Sequence, residues 1–141
     1  MQTFKKILVP IDESEHAKNA FRYALGLAHT QGAHLALLHC YPRIPMLIGG
    51  AARTELVGEY VKQTETLLAP FVAKLHAISV EPVLIIKEGR PDEVILEEAE
   101  HGGYDLIVIG AHGGTDLGGV LLGSTTHRVL AAASCPVLVA R

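Results

Sequence analysis

The chain has 141 residues, of which 49% are hydrophobic and 19% are charged, and its formal net charge is −3. That length fits a single domain over residues 1–141, and so much apolar content excludes a disordered segment. The weak negative charge argues against a nucleic-acid-binding protein, which needs a broad basic surface. Two cysteines, Cys40 and Cys135, are too few for a disulfide scaffold or a zinc ribbon, and we expect both to be small buried residues. The composition predicts a small cytoplasmic α/β domain.

Neither the N-terminus nor a long uncharged stretch predicts membrane insertion. Lys5 and Lys6 precede a short apolar run that ends at Pro10 without a small-residue cleavage site. Residues 23–42 carry no formal charge, but residues 29–34 (HTQGAH) indicate the end of a helix and the start of a strand. We therefore expect neither a signal peptide nor a membrane span.

The first part of the chain predicts a strand, a helix and a second strand. Residues 7–9 (ILV) are a continuous apolar run, typical of a strand that is buried on both faces. Ser14 is placed to cap a helix whose apolar residues recur at spacings of three and four until Gly32 ends it. Residues 34–40 (HLALLHC) then predict the second strand.

Prolines and glycines decide the prediction for the middle of the chain. Residues 41–52 contain two of each, so this segment is predicted to be an irregular loop. The apolar pattern of residues 56–75 predicts a long second helix. Pro70 should kink that helix or split it near Thr66, because proline removes an intrahelical hydrogen bond.

The remaining segments continue the alternation of strand and helix. Pro82 lies beside the strand predicted at residues 83–86, and since proline cannot donate to a ladder, this strand should lie at a sheet edge. Pro91 starts a third helix that ends by Gly102, and residues 106–109 (LIVI) predict a fourth strand. A glycine-rich loop then leads to a last helix and a last strand, at residues 124–133 and 136–140. This alternation predicts a parallel sheet with helices on both faces.

The glycine-rich segment at residues 110–124 (GAHGGTDLGGVLLGS) connects the end of a buried strand with a helix N-terminus. Glycine lets backbone N–H groups approach an anion closely, and a helix N-terminus favours negative charge. Ser124 and Thr125 add hydroxyls where a phosphate, or magnesium bound to it through Ser124, would sit. A structural interpretation stays open, in which the glycines only permit a tight crossover.

Two familiar phosphate-binding motifs are absent from this segment. Gly118 and Gly123 have the spacing of a Walker loop, but Ser124 stands where that motif needs lysine. No G-x-G-x-x-G pattern occurs either, so the dinucleotide fingerprint is missing. The segment does match the pattern G-x2-G-x9-G-[ST], at Gly110, Gly113, Gly123 and Ser124.

This pattern, together with VPID at residues 9–12 and SCPVLVA at residues 134–140, resembles the universal stress protein family. The resemblance covers essentially the whole chain, with the motifs in the family's order. It implies an α/β fold with one open five-stranded parallel sheet in the order 3-2-1-4-5 and helices on both faces. Such a fold is Rossmann-like and similar to that of the adenine nucleotide alpha hydrolases.

The resemblance also implies a bound adenine nucleotide, ATP or AMP, with or without magnesium, where strands one and four end. Pro10, Ile11 and Asp12 match positions beside the adenine and ribose, and Cys40 matches a position whose backbone contacts adenine. The ribose and phosphates would be held by Gly110, His112, Gly113, Gly123, Ser124 and Thr125. Two alternatives stay open: Asp12 as the cap of the first helix, and His112 as a loop residue that bonds only to backbone.

The chain departs from the family pattern in the charge of this loop. Family loops often carry Arg or Lys after the second glycine and again a few residues later. Here Gly114, and Gly118 or Gly119, stand in those places, and Asp116 adds a negative charge. One unpaired carboxylate near a polyphosphate is unfavourable by about 1 kcal/mol at a protein surface. We therefore expect either weaker ATP affinity or a preference for AMP.

Three functions are compatible with these features. The favoured hypothesis is a regulatory stress-response module in which ATP or AMP controls contact with a protein partner. The alternatives are a weak ATPase or phosphotransferase, and a stress-related interaction protein that binds no nucleotide. The enzyme hypothesis lacks a catalytic lysine, an arginine finger in the loop, and a general base other than Asp12 or His112.

The last strand predicts a homodimer. In the implied strand order it forms an apolar sheet edge, and exposed apolar edges tend to pair with another strand. Pairing with the same strand of a second copy would cover both edges in a two-fold contact. Family resemblance implies the same arrangement. The residues concerned are Pro136, Val137, Leu138, Val139 and Ala140.

Overall fold

The computed structural model describes residues 1–112 and 122–141. Its helices and strands alternate along the chain: β1 (Lys6–Pro10), α1 (Glu15–Gln31), β2 (His34–Tyr41), α2 (Gly50–Ala77), β3 (Val83–Glu88), α3 (Pro91–His101), β4 (Leu106–Gly110), α4 (Ser124–Ala132) and β5 (Val137–Ala140). The strands pair in parallel to form one sheet in the order β3-β2-β1-β4-β5. The predicted fold class and strand order are confirmed.

The sheet separates two apolar layers. On one face α1 and α2 pack against alternate residues of the strands, with Phe21, Leu68 and Leu75 among their buried side chains. On the other face α3 and α4 pack through residues such as Ile95 and Val129. Because β1 and β4 contribute side chains to both layers, their residues are almost all apolar, as the sequence predicted.

Helix α2 differs from its prediction in two respects. It begins at Gly50, within the segment predicted to be a loop, and it runs through Pro70 without being split. Its first turn is held by an ion pair between Arg53 and Glu88, with a nitrogen–oxygen distance of 3.0 Å. The same carboxylate accepts the backbone N–H of Ile44 at 2.7 Å. These contacts join segments that are distant in sequence, so the local glycine and proline pattern did not reveal them.

The two edge strands have different environments. β3 pairs only with β2, and it exposes Val83 and Leu84, which confirms that it is an edge strand. β5 pairs with β4 along one of its edges. Val137, Leu138 and Val139 are half-buried, and Ala140 is buried. The strand begins at Val137, one residue later than predicted, although the carbonyl of Pro136 still accepts the N–H of Ile107 at 3.0 Å.

Two other expectations concern membranes and cysteines. Among the helices in the described part of the chain, none is long and apolar enough to cross a membrane. Cys40 and Cys135 are free thiols, and both are half-buried rather than buried as predicted. Each lies at the margin of the layer formed by α3 and α4, where the packing is less complete.

Helices α3 and α4 are joined through a buried carboxylate, that of Asp92. Its Oδ2 atom accepts hydrogen bonds from Arg90 at 3.0 Å and from Arg128 of α4 at 3.2 Å. Burial alone would raise the pKa of the Asp92 carboxyl. The hydrogen bond from Arg128 and the positive charges of both arginines outweigh burial, so the pKa lies below its usual value.

This lowered pKa predicts a specific pH dependence of stability. The ionised carboxylate stabilises the fold above its unfolded-state pKa, and that contribution is lost as the pH falls through the lower, folded-state pKa. We expect Asp92→Asn to reduce the free energy of unfolding at pH 7 by about 1 kcal/mol, because the partner guanidinium groups remain half exposed. The deficit should vanish in strong acid. Urea denaturation at pH 7 and in strong acid measures this difference in the free energy of unfolding. Glu100→Gln, at an exposed site on the same helix, is the control. An equal deficit at both pH values would contradict this account.

Candidate functional site

A cleft opens where β1 and β4 end, at the point from which the chain winds in opposite directions along the sheet. In parallel α/β sheets, ligands bind outside the carboxyl ends of strands at this point. The cleft has a volume of about 120 Å³.

Asp12 lies in the turn between β1 and α1. Its Oδ1 atom accepts the backbone N–H of Ser14 at 2.8 Å and also the Ser14 hydroxyl. The Oγ atom of Ser14 in turn accepts the N–H of Ala17 at 3.1 Å, so Ser14 is the helix cap. The alternative in which Asp12 caps the helix directly is therefore excluded. Its Oδ2 atom has no hydrogen-bond partner among residues 1–112 and 122–141, and Asp12 lines the cleft.

Gly110 ends β4 directly against the first turn of α1. A Cβ atom at this position would lie 2.7 Å from the carbonyl carbon of His16 and 2.9 Å from the nitrogen of Ala17. Only glycine permits that approach of two backbones. The carbonyl of Gly110 accepts a hydrogen bond of 2.6 Å from the buried hydroxyl of Thr126, which fixes α4 to the same point.

The N-terminus of α4 lies at this side of the sheet. Gly123 precedes the helix, makes no side-chain cap, and donates its N–H to the carbonyl of Ala111 at 2.7 Å. Ser124 is exposed, whereas Thr125 is half-buried and lines the cleft. The first N–H groups of a helix have no intrahelical acceptors, and together with the helix dipole they favour an anion.

Cys40 and His39, at the end of β2, form another wall of the cleft. Burial raises the pKa of the Cys40 thiol to about 11, the Glu98 carboxylate adds to the effect, and the Lys87 ammonium opposes it. The thiol is therefore protonated at neutral pH and serves as an apolar surface. The Nδ1 atom of His39 lies 2.8 Å from the carbonyl oxygen of Ile11, a contact in which Nδ1 carries the proton.

His112 lies at the mouth of the cleft, in contact with a second histidine. Its ring meets the ring of His16 edge-on, with the centroids 5.1 Å apart and the planes at 74°. The Nδ1 atoms of both rings are buried and lack a hydrogen-bond partner within the described residues. The backbone carbonyl oxygen of His112 lies 3.4 Å from the Ser14 hydroxyl. The structure thus places His112 between the first turn of α1 and the cleft.

Most of the residues predicted for the site share this cleft. Seven of them line it: Pro10, Ile11, Asp12, Cys40, Gly110, His112 and Thr125. Gly123 and Ser124 are placed next to it at the start of α4, and Gly113 falls outside the described residues. The sequence analysis missed the contributions of Ser14, His39, Pro91, Ile95 and Thr126, because their signals are those of ordinary caps and core positions. Within the described residues, no group of three or more His, Cys, Asp or Glu side chains is arranged to hold a metal ion.

Comparison with known proteins assigns the chain to a family. Residues 3–141 match the model of the universal stress protein family. A universal stress protein of Thermus aquaticus is 37% identical over 138 residues, covering 98% of this chain and 99% of the relative. Universal stress protein MJ0577 of Methanocaldococcus jannaschii is 30% identical over 154 residues, covering 98% of this chain and 95% of the relative.

Solved structures agree with this assignment. The structure of MJ0577 superposes with a TM-score of 0.88, covering 99% of this chain and 96% of the other. The universal stress protein UspA from Lactobacillus plantarum, 28% identical, gives a TM-score of 0.85 with complete coverage of both chains. More distant structures with the same fold are described in complex with cAMP, with dAMP, and with AMP bound. The match over nearly the whole length shows that this chain belongs to the universal stress protein family.

Proposed function

We propose that this protein binds an adenine nucleotide in the cleft and acts as a regulatory module of the cytoplasmic stress response, with residues 1–141 as one domain. The observation that carries the proposal is the convergence of Asp12, Cys40, Gly110 and Thr125 on one cleft at the switch point of the sheet. The relatives described with cAMP, dAMP or AMP support an adenine nucleotide as the ligand, because they share this fold.

In this proposal each part of the cleft contacts a different part of the nucleotide. The Oδ2 atom of Asp12 accepts a ribose hydroxyl, since the Oδ1 atom is already occupied by Ser14. The backbone beside Cys40 contacts adenine, against a wall that the protonated thiol keeps apolar. The N-terminus of α4 receives the phosphates, where the exposed hydroxyl of Ser124 fits magnesium that is bound to them.

The nucleotide that this site prefers is expected to carry few phosphates. Among the described residues that line the cleft there is no lysine or arginine, while Asp12 contributes a negative charge. Backbone N–H groups and hydroxyls then provide the contacts to phosphate, and each added phosphate brings charge without a matching cation. We therefore propose that AMP competes effectively with ATP for the cleft.

The test is ligand-induced stabilisation of the purified protein. We expect AMP and ATP to raise the melting temperature by several degrees when present well above Kd, because a ligand that binds only the folded state stabilises it. Asp12→Asn keeps an acceptor for Ser14 but removes the carboxylate that accepts the ribose hydroxyl. It should weaken nucleotide binding about tenfold, as expected when a hydrogen bond to a charged group is lost. Isothermal titration calorimetry measures the change.

The matched control is Glu13→Gln, which alters the neighbouring, exposed carboxylate outside the cleft. It should bind nucleotide as the wild type does. A wild type that shows neither a thermal shift nor heat with millimolar AMP or ATP and magnesium would refute the proposal. Steady hydrolysis of ATP that is lost in Asp12→Asn would instead favour the ATPase alternative.

We further propose that the protein forms a homodimer through β5. The carbonyls of Pro136 and Ala140 are directed at β4, where they accept the N–H groups of Ile107 and Ala111. Because successive residues of a strand direct their N–H and C=O groups to opposite sides, those of Val137 and Val139 point away from β4. The outer side of β5 therefore offers hydrogen-bonding groups and apolar side chains to an identical strand.

A further inference from the structure

A second cavity lies between α1 and α2, on the helical face next to the nucleotide cleft. We call it the α1–α2 groove and define it by Lys18, Phe21 and Arg22 of α1 and Leu67, Phe71 and Lys74 of α2. Its volume is about 370 Å³, more than the 120 Å³ of the nucleotide cleft. Such a volume is typical of small-molecule sites.

The floor of the groove is apolar and rigidly packed. The rings of Phe21 and Phe71 meet edge-to-face with centroids 4.9 Å apart, and both side chains belong to the core. Leu67 is half-buried and Pro70 is exposed, so the α2 side of the groove presents apolar surface to solvent. Leu67 and Phe71 are four residues apart and therefore lie on the same face of the helix. A floor of this kind favours a hydrocarbon or aromatic group.

The rim of the groove carries three cations on two helices. Lys18 pairs with the exposed carboxylate of Glu15 at 2.8 Å. Arg22 donates a hydrogen bond of 3.3 Å to the neutral Oδ1 atom of Asn19 and forms no ion pair within residues 1–112 and 122–141. Lys74 forms no ion pair with any residue in the described ranges, 1–112 and 122–141. Arg22 and Lys74 thus face the groove from different helices, and the Glu15 carboxylate offsets part of the Arg22 charge.

The acidic residues that line the groove lie at the end where α1 begins. Asp12 and Glu13 precede the first residue of α1, Glu15, and Arg22 lies about 10 Å beyond Glu15 along the helix axis at 1.5 Å per residue. Asp12 is also engaged by Ser14. The groove therefore combines an apolar floor with a positive end, and a ligand that matches both has an apolar tail and an anionic head.

We propose that the α1–α2 groove is a binding site for an amphipathic carboxylate, such as a medium-chain fatty acid. Its tail packs on Phe21, Leu67 and Phe71, and its carboxylate lies between Arg22 and Lys74. The groove and the nucleotide cleft share Asp12, so the bound carboxylate would lie next to a bound nucleotide. It would not reach the part of the cleft that β4 and α4 form. The proposal stands independently of nucleotide binding.

The experiment uses octanoate as the probe, with two matched ligands of the same chain length. Octanol keeps the tail without the charge, and octyltrimethylammonium reverses the charge. We expect octanoate to shift the backbone amide signals of Phe21, Leu67 and Phe71 in NMR spectra, octanol to bind more weakly, and the cation not to bind. The shifts should appear whether or not the protein binds AMP or ATP, which separates this test from that of the cleft.

Charge reversal at the rim tests the head group. Lys74→Glu should weaken octanoate binding about tenfold, because it replaces an attraction for the carboxylate by a repulsion. Lys62→Glu makes the same change at an exposed site of α2 outside the groove and should leave affinity unchanged. Equal weakening in both variants, equal affinity for octanol and octanoate, shifts confined to the nucleotide cleft, or no binding at all would each overturn the proposal.

Discussion

Gly110→Ala is expected to destabilise the fold by about 3 kcal/mol, which is large for the addition of one methyl group. The new Cβ would lie 2.7 Å from the carbonyl carbon and 2.8 Å from the Cβ of His16. These atoms belong to the first turn of α1, so no flexible side-chain end can move to relieve the clash. Either α1 shifts away from β4, or β4 shifts and strains the hydrogen bond from Thr126. Guanidinium denaturation measures the loss, and the melting temperature should fall by about 10 °C.

The same substitution at another glycine is the control. Gly58 lies in α2, is exposed, and has no atom within 4 Å of the position that a Cβ would take. Gly58→Ala should raise stability by about 0.5–1 kcal/mol, since alanine loses less backbone entropy in a helix. If Gly110→Ala were as stable as the wild type, the close approach of β4 and α1 would be wrong. Because Asp12 and Ser14 precede that turn, we also expect the variant to lose nucleotide binding.

Val139→Pro is expected to convert the proposed homodimer into a monomer whose fold is intact. The N–H of Val139 points away from β4, so proline removes a hydrogen bond to the second copy without removing one from the sheet. Light scattering should report about 30 kDa for the wild type, twice the chain mass of 15.1 kDa, and half of that for the variant. Circular dichroism should show the same secondary structure in both proteins.

Two further variants separate dimerisation from folding. Val139→Ala keeps the N–H group and should remain dimeric, with a weaker contact because less apolar surface is buried. Leu138→Pro removes an N–H group directed at β4 and should destabilise each subunit. A wild type that stays monomeric at high micromolar concentration, or a Val139→Pro variant that stays dimeric, would contradict the proposed interface.

The parts of the fold that could be predicted are those in which local pattern and tertiary position coincide. Residues of β1 and β4 are buried on both faces, and such strands have a continuous apolar sequence wherever they occur. Pro82 indicated that β3 is an edge strand because the reason is local, the lack of a backbone donor. Asp12 and Gly110 could be placed together because parallel strands all end at one side of a sheet.

The start of α2 could not be predicted, because it depends on long-range contacts. Gly50 has a positive φ of 55° and follows another glycine, a pattern that indicates a loop. What holds the first turn is the ion pair of Arg53 with Glu88, a residue of β3. Pro70 fails to split the helix because Leu68 and Phe71, on either side of it, are buried in the core. Their burial outweighs the loss of one hydrogen bond.

His16 shows a different limit of sequence analysis. Its neighbours in the sequence predict only the first turn of a helix, and a single histidine there has no distinctive spacing. Its contact with His112 arises because Gly110 brings the end of β4 against that turn. The role of a residue of this kind depends on its partner, and the partner lies 96 positions away in the chain.

The uneven burial of α2 has a consequence for local unfolding. Its buried residues, Thr64, Leu68, Phe71 and Leu75, all lie in the second half, whereas residues 50–63 are exposed or half-buried. Segments with little buried surface open at a low free-energy cost while the rest of a protein stays folded. Unwinding of the first half would separate Tyr60 from Tyr41, whose rings are stacked 4.9 Å apart. Tyr41 directly follows Cys40, so fraying of this helix loosens a wall of the cleft while the central strands keep their hydrogen bonds.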